Sequence, residues 1–324
     1  MAAMANSTPR TAAALGAELR AGRVDAVELA EQTLATINSH SDKAIFTEVF
    51  AVRARREAAA AATRLKAGRP LSALDGVPAA WKDLFDVEGR VTTAGSVVLK
   101  SDPPAARDAS LLAAAAAAGL STIGTTNMTE FAFSGIGLNP HYGTPRNPHD
   151  LKVRRSPGGS SAGSAVAVAA GLVPLAIGTD TSGSVRVPAS FTGVTGYKAS
   201  TGRYPMKGVF PLSRTLDSLG PLAHTVEDCV LTDAALRGVL LPEAHRRSVA
   251  DLRVLVPETL VLDGCERAVL ANFEAAIDRS SLPALLGPRA FGLPFPVEKQ
   301  RAGRPPLERQ DEPAAPGEWL RRSR

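Results

Sequence analysis

The sequence contains little cysteine and few aromatic residues. Of its 324 residues, two are cysteines and 5% are aromatic. Cys229 and Cys265 form neither a disulfide framework nor a metal-binding motif. The chain also lacks the glycine-rich fingerprint of a dinucleotide-binding protein. We therefore expect no metal and no cofactor, and we expect both thiols to be ordinary buried or half-buried side chains.

Long apolar runs are also missing. The longest uncharged apolar runs lie at residues 109–120 and 165–178, whereas a helix that spans a bilayer needs about 20 apolar residues. Residues 1–22 lack the continuous apolar core of a secretory leader. A composition of 44% hydrophobic and 21% charged residues is typical of a soluble globular enzyme. These features favour a cytoplasmic protein that does not contact a membrane.

Positive charge is concentrated at the C-terminal end. The net charge is +5, and residues 281–324 carry eight Lys or Arg against five Asp or Glu. The rest of the chain is close to neutral, so a nucleic-acid partner is not expected. The same 44 residues hold eight of the 24 prolines and show no apolar periodicity. We predict a folded domain over residues 1–280 and a disordered Pro/Arg-rich tail over residues 281–324.

Helices alternate with short apolar strands along the chain, which predicts a layered α/β fold. Strands are expected at residues 120–124, near 173–177 and at 252–256. Another helix is expected to start at Asn127, with Asn127 as its cap and Glu130 at the capping-box position. The remaining helices are predicted from apolar periodicity and caps at residues 23–40, 51–67, 108–118, 225–237 and 266–277.

Two serine clusters lie in glycine-rich turns within residues 156–190. They are Ser160-Ser161 and Ser182-Gly183-Ser184, and the uncharged run at residues 165–178 separates them. That run predicts a short helix and a buried strand, which would tie both turns to one rigid segment. Glycines let backbone N–H groups approach a ligand closely. Hydroxyl groups beside such N–H groups suit acyl transfer, although Gly/Ser clusters are also common in simple turns.

A further candidate is Lys82, which follows a short apolar segment and precedes Asp83. A lysine at the floor of a pocket can carry protons, because desolvation lowers its pKa from about 10.4. Most lysines are exposed on the protein surface, so Lys82 taken alone does not identify a site.

Four segments of the sequence form one ordered pattern. They read GVPAAWKDLFDVEG, IGTTNMTEFAFSGIGLNPHYGTPRNP, SPGGSSAGSAVAVAAGLVPLAIGTDTSGSVRVPASFTGVTGYK and PLSRTLDSLGPLAHTVEDC. This pattern resembles the amidase signature family of serine hydrolases over roughly residues 11–279. The resemblance implies a mixed central β-sheet flanked by α-helices and incomplete at the C-terminus, because members continue well beyond this length. We interpret the tail as a truncation or frameshift and expect low solubility or weak activity.

By position, the resemblance implies catalytic roles for Lys82, Ser160 and Ser184. Ser184 would be the nucleophile, and Ser160, on a cis peptide bond, would pass its proton to a neutral Lys82. The oxyanion would be bound by backbone N–H groups of Thr181, Ser182, Gly183 and Ser184. The implied reaction converts a small-molecule carboxylic amide to an acid and ammonia or an amine through an acyl-serine.

Residues around this triad are assigned lesser roles. Asp180 and Arg186 flank the nucleophile and are expected to form a structural ion pair. Ser161 would position Ser160 or the substrate. Candidates for the wall of the substrate cleft are His141, Tyr142 and residues 127–129.

Three alternatives stay open at this point. Residues 159–163 also match the G-x-S-x-G nucleophile elbow of α/β-hydrolases, with Asp217 and His224 downstream, although the charged segment before them is a poor strand. The family resemblance does not separate an amidase from an amidotransferase A-subunit that releases ammonia from glutamine for a mischarged tRNA. The third alternative is an inactive fragment that keeps the motif without a competent site. The sequence also leaves a homodimer open.

Overall fold

The computed structural model describes residues 10–239, 254–257, 262–280 and 284–287. The chain divides into two units, Met1–Pro242 and Glu243–Arg324. In the second unit, strands Val254–Pro257 and Ala284–Gly287 pair in parallel, and helix Arg267–Ser280 lies between them in the chain. Apart from strand Ala284–Gly287, the predicted disordered tail lies outside the described residues.

The first unit is built on one six-stranded sheet. Its strands are β1 (Phe46–Val49), β2 (Pro78–Lys82), β3 (Ser121–Thr126), β4 (Leu175–Asp180), β5 (Thr195–Gly196) and β6 (Ser218–Ala223). The strand order is β1-β3-β2-β4-β6-β5. β2 runs parallel to β3 and β4, and the other pairings are antiparallel. The carboxyl ends of β2 and β4, at Lys82 and Asp180, therefore lie at the same edge of the sheet.

Seven α-helices surround this sheet, which confirms the expected α/β fold class with a mixed sheet. They are α1 (Ala12–Arg20), α2 (Ala26–Ser39), α3 (Ala51–Lys66), α4 (Ser110–Ala117), α5 (Ala162–Ala169), α6 (Arg186–Thr192) and α7 (Val226–Arg237). α2 begins at a helix cap, since the Asp25 carboxylate accepts hydrogen bonds from the N–H groups of Val27 and Glu28. α7 starts with a capping box between Thr225 and Asp228. No helix in the described ranges is long and apolar enough to cross a bilayer.

The two faces of the sheet pack against separate apolar clusters. On β2, Ala79 and Trp81 belong to one cluster and Ala80 belongs to the other. β4 alternates in the same way, with Ile177 in the first cluster and Ala176 in the second. This two-residue period is expected of strands that are buried on both faces. Four residues of α5 belong to the second cluster, so this helix packs on that face: Ala165, Val166, Ala167 and Val168.

The predicted helix at Asn127 does not form. β3 extends to Thr126, and only a short 3-10 helix follows, at Glu130–Ala132. The Asn127 side-chain amide donates to the carbonyls of Ala44 and Gly143 instead of capping a helix. Asn127 therefore joins two loops that are distant in sequence, which local helix-cap rules cannot anticipate.

Among the described residues of the first unit, two helices and four strands were not predicted: α1, α6, β1, β2, β5 and β6. β6 is the most informative, because Gly220 and Pro221 in its centre disfavour a strand on local grounds. The strand forms because it pairs with β4 along its whole length, from Leu175 opposite Ala223 to Asp180 opposite Ser218. Tertiary pairing thus overrides the local preference.

We predict that Gly220→Ala destabilises the protein. A Cβ at Gly220 would lie 1.8 Å from the carbonyl oxygen of Tyr197, which is a backbone atom and cannot rotate away. We expect a loss of about 2 kcal/mol or more in urea unfolding, since overpacking a filled interior typically costs about 1–3 kcal/mol. Gly135→Ala is the matched control, because nothing lies within 4 Å of its added Cβ. Equal stability of the two variants would contradict this account.

Candidate active site

Lys82 ends the central strand β2 and has no exposed surface. Its Nζ atom lies 2.7 Å from Ser160 Oγ and 2.8 Å from Thr179 Oγ1. Thr179 belongs to the parallel neighbour β4, so the pairing of the two strands brings its hydroxyl to the amine. Two hydroxyl groups therefore solvate an amine that water does not reach.

Burial lowers the pKa of Lys82 to about 7, and the nearby carboxylates Asp180 and Asp217 oppose this shift. An isolated lysine has a pKa of about 10.4. Because desolvation penalises the charged form, a substantial fraction of Lys82 is neutral near pH 7. A neutral amine can accept a proton, which an ordinary surface lysine cannot do at this pH.

Ser160 lies in the turn before α5 and is also fully buried. The peptide bond between Gly159 and Ser160 is cis. The Ser161 N–H donates to the carbonyl of Ser184 at 3.2 Å, which joins the two serine turns. The Ser161 hydroxyl lies 3.3 Å from the carbonyl oxygen of Thr179, so Ser161 fastens the first serine turn to β4.

Ser184 follows Gly183 on the loop after β4. Gly183 has φ +130°, a conformation that L side chains rarely adopt, whereas Ser182 does not have a positive φ. Ser184 borders a cavity of about 230 Å³. Its hydroxyl makes no hydrogen bond to any residue that the structure describes, so it is available to a substrate in that cavity.

The four N–H groups expected to bind an oxyanion are not equivalent. The Gly183 N–H donates to Asp180 Oδ1 at 2.8 Å. The N–H groups of Thr181, Ser182 and Ser184 have no acceptor among the described residues. Three donors therefore stay available near the Ser184 hydroxyl, and the Gly183 N–H holds the loop in shape.

Asp180 and Arg186 form the expected ion pair. Arg186 Nε and Nη2 each lie 3.0 Å from the Asp180 carboxylate, which also accepts from the N–H groups of Val185 and Arg186. Burial would raise the pKa of Asp180, but hydrogen bonds from Arg186, Val185 and Gly183 lower it below its usual value. Asp180 therefore stays ionised and fixes the loop of residues 181–185. This loop carries Ser184, the predicted nucleophile, and we call it the nucleophile loop.

Asp217 also fixes the loops near Ser184, a role that the sequence pattern did not predict. Its Oδ1 accepts from the Thr181 hydroxyl at 2.5 Å, and its Oδ2 accepts from the N–H groups of Leu212 and Ser213. Asp217 thus joins the nucleophile loop to the 212–213 loop. Its position in the PLSRTLDSLGPLAHTVEDC segment is the only signal that could have pointed to it.

Asp83, the residue after Lys82, holds a tight turn at residues 93–95. The Asp83 carboxylate accepts from the Thr93 hydroxyl and, at 3.1 Å, from the Gly95 N–H. The Asp83 carbonyl accepts from the Ala94 N–H at 2.7 Å. Ala94 has φ +50°, which is unusual for a residue with a side chain. Asp83 therefore fixes a strained turn next to the end of β2.

Residues 129–132 connect that turn to the turn of Ser160, and we call them the brace. The Phe131 N–H donates to the Ala94 carbonyl at 2.9 Å, and the Thr129 N–H donates to the Ser160 carbonyl at 3.1 Å. Phe131 and Ala132 have φ +51° and +59°. Together with Ala94, they are the non-glycine residues with positive φ in the described part of the chain. Such strain persists where the surroundings enforce it, commonly at functional sites.

The residues expected in the wall of the substrate cleft, which are His141, Tyr142 and residues 127–129, do not border the cavity at Ser184. His141 Nε2 lies 3.0 Å from a carboxylate oxygen of Glu130. The Tyr142 ring packs beneath the ammonium of Lys100, 4.9 Å from the ring centre. Thr129 lies in the brace, and its hydroxyl has no partner among the described residues.

A family model described as Amidase matches residues 28–256. The chain belongs to the amidase signature family. It is 46% identical over 222 residues to AtzE of Pseudomonas sp. (strain ADP), a component of 1-carboxybiuret hydrolase, and the match covers 68% of this chain and 48% of that protein. It is also 46% identical over 231 residues to the glutamyl-tRNA(Gln) amidotransferase A-subunit of Ralstonia nicotianae, which covers 71% of this chain and 46% of that protein.

The fold of this amidase-family chain also matches solved structures. One, described as a vestigial protein complex that reveals the evolutionary origins of an s-triazine catabolic enzyme, has a TM-score of 0.78 and 38% identity. The match covers 87% of this chain and 64% of that one. The chain spans about half the length of the curated relatives it matches.

The geometry of this amidase-family site differs from a nucleophile elbow. No strand leads directly into residues 159–163, and the side chain of Ser160 is bonded to Lys82. His224 Nε2 has no hydrogen-bond partner among the described residues, and Asp217 is bound to the loops around it. The Ser-Asp-His arrangement of that alternative is therefore absent from the described chain.

A larger cavity, of about 520 Å³, lies elsewhere in the amidase fold. It contains none of Lys82, Ser160 and Ser184, and its walls include Asp86, Asp102 and Phe210. In the described residues, no group of three or more His, Cys, Asp or Glu side chains is arranged to hold a metal.

We predict that Asp83→Asn changes how stability depends on pH. Burial raises the pKa of Asp83 to about 6, so the folded protein keeps a proton that the unfolded chain has released. This contribution to stability is complete below the unfolded pKa and is lost as pH rises through about 6. Asparagine does not titrate. Between pH 4.5 and 7.5, we expect the wild-type protein to lose about 2 kcal/mol relative to the variant.

Urea unfolding of both proteins at the two pH values measures this difference, and other titrating groups cancel in the comparison. A stability difference that is the same at both pH values would show that Asp83 is ionised throughout.

Proposed function

We propose that this protein hydrolyses a carboxylic amide to an acid and ammonia or an amine through an acyl-enzyme at Ser184. The observation that carries this proposal is the 2.7 Å approach of a fully buried amine, Lys82, to the hydroxyl of Ser160. A buried lysine with a pKa of about 7 in a hydroxyl-rich site is suited to general base catalysis near neutral pH. Membership of the amidase family supports hydrolysis at a C–N bond.

The first step is acylation. Neutral Lys82 accepts the Ser160 proton while Ser160 accepts the Ser184 proton. Ser184 Oγ then bonds to the carbonyl carbon of the amide, and the carbonyl π electrons move to oxygen. The resulting oxyanion is bound by the free N–H groups of Thr181, Ser182 and Ser184. Loss of one such donor costs about 3 kcal/mol in comparable sites.

The leaving group then departs. The oxyanion re-forms the carbonyl and the C–N bond breaks, while the proton held by Lys82 returns through Ser160 to the departing nitrogen. A water molecule attacks the ester at Ser184 and loses its proton along the same path. The acid is released, and the hydroxyl of Ser184 and the neutral amine of Lys82 are restored.

The second candidate is a glutaminase component of an amidotransferase. It is favoured by the 46% identity to an amidotransferase A-subunit, which equals the identity to the carboxybiuret hydrolase component. Ammonia release from glutamine that requires the other amidotransferase subunits would support it. Turnover of small amides by the isolated chain would favour the amidase. The third candidate, an inactive fragment, requires a folded chain in which Ser184 does not react.

We predict that a fluorophosphonate probe labels wild-type protein at Ser184 and that Ser184→Ala abolishes both labelling and ammonia release. Ser182→Ala is the matched control, because Ser182 lies on the same loop and is exposed. It should keep labelling, since its backbone N–H is retained. His224→Ala should also keep turnover. Loss of turnover in that variant would favour the elbow mechanism, and an unlabelled but folded wild-type protein would favour the inactive fragment.

We predict that kcat/KM for amide hydrolysis rises with pH and levels off above about 7. The reason is that Lys82 must be neutral to accept a proton, and burial lowers its pKa to about 7. Lys82→Met should lower kcat by about 10²-fold or more, because general base catalysis typically contributes 10²–10⁴-fold. A profile that is flat from pH 6 to 9 would contradict the role of Lys82.

A further inference from the structure

The cavity at Ser184 has apolar and neutral walls. Besides the nucleophile loop and glycine backbone, its side chains are those of Ala132, Phe133, Ser134, Val187 and Leu212. None of the described residues that border it carries a charge. Phe133 and Leu212 are large and exposed, with relative exposures of 82% and 37%. They therefore present apolar surface to a ligand that enters the cavity.

We propose that the acyl group of the substrate is uncharged and apolar at the end remote from the amide, as in branched aliphatic carboxamides. Amides whose acyl group carries a carboxylate are then poor substrates. This proposal rests on the proposed amide hydrolysis at Ser184 and specifies its substrate class.

The charges behind the cavity walls support this preference. Among the residues that the structure describes, two carboxylates, Asp180 and Asp217, lie next to the nucleophile loop, and one guanidinium, Arg186, lies with them. Lys82 is enclosed and already bound to two hydroxyl groups. A substrate carboxylate would therefore enter a region with more negative than positive charge, and like charges at close range are strongly unfavourable.

Arg186, the guanidinium beside the nucleophile loop, already has a charged partner. Arg186 makes two hydrogen bonds to Asp180 at 3.0 Å, so it is neutralised by a buried partner. A carboxylate placed among Phe133, Val187 and Leu212 would lose water without gaining a charged partner. An alkyl group at the same place would gain from leaving water.

Arg214 provides an internal check. It lies two residues beyond Leu212 and does not border the cavity. If Arg214 served as a receptor for a substrate carboxylate, its removal would selectively reduce turnover of anionic amides. The proposal expects no such selective effect.

The test uses a pair of amides with nearly the same shape. 4-Methylpentanamide ends in an isopropyl group, and succinamate carries a carboxylate of similar shape at that position. For the whole chain, we expect kcat/KM for ammonia release to favour 4-methylpentanamide by at least about tenfold. A preference for succinamate would overturn the proposal.

A charge introduced into the wall should change the preference. Leu212→Arg adds a cation at a partly exposed position, and we expect the ratio of the two kcat/KM values to move toward succinamate by at least about tenfold. Leu212→Met, which is apolar and of similar size, should keep the wild-type ratio. Arg214→Gln should also keep it, and a selective loss of succinamate turnover in that variant would overturn the proposal.

Labelling rates give a second measure that does not require turnover. Two fluorophosphonates, one with an isopropyl tip and one with a carboxylate tip, should label Ser184 at different rates, with the isopropyl reagent faster by about tenfold or more. Faster labelling by the carboxylate reagent would overturn the substrate preference alone. Absence of labelling by both reagents, together with absence of turnover, would overturn the proposed function and this preference with it.

Discussion

Placing the amine of Lys82 inside the sheet is the constraint on which the rest of this structure depends. A buried amine is tolerated only where polar groups replace its water, and the hydroxyls of Ser160 and Thr179 do so at 2.7 and 2.8 Å. These three residues come from β2, from the turn before α5 and from β4. The parallel pairing of β2 with β4 and the packing of α5 on the sheet therefore together bring these two hydroxyl groups to the amine.

Three aspartates hold the loops around this contact without touching the amine. Asp83 binds the turn at residues 93–95, Asp180 binds the nucleophile loop, and Asp217 joins that loop to residues 212–213. Each carboxylate accepts at least one backbone N–H group in addition to a side-chain donor, so each fixes the course of the main chain. The strained brace adds a direct backbone link between the turn at Asp83 and the turn at Ser160. The site is thus rigid because its loops are bonded to one another.

Much of the fold could be predicted from local patterns, since α2 and α7 begin at recognisable caps and β3 and β4 form close to the strands expected at residues 120–124 and 173–177. β6 could not, because Gly220 and Pro221 fit a strand only through their partners on β4. Asn127 follows the helix-cap pattern, but its amide binds carbonyls far away in the chain. In the site, the motifs indicated Lys82, Ser160 and Ser184. The acceptor of the Gly183 N–H and the contacts of Asp217 depend on side-chain directions that a sequence does not contain.

The complete enclosure of Lys82 has a chemical consequence beyond proton transfer. A lysine with a lowered pKa is ordinarily a good nucleophile toward aldehydes, carbon dioxide and acylating metabolites, because its lone pair is free at neutral pH. Here the same burial that frees the lone pair also keeps such electrophiles away, since no part of the residue is exposed. The protein therefore holds a neutral internal amine that is protected from covalent damage as long as the sheet stays intact.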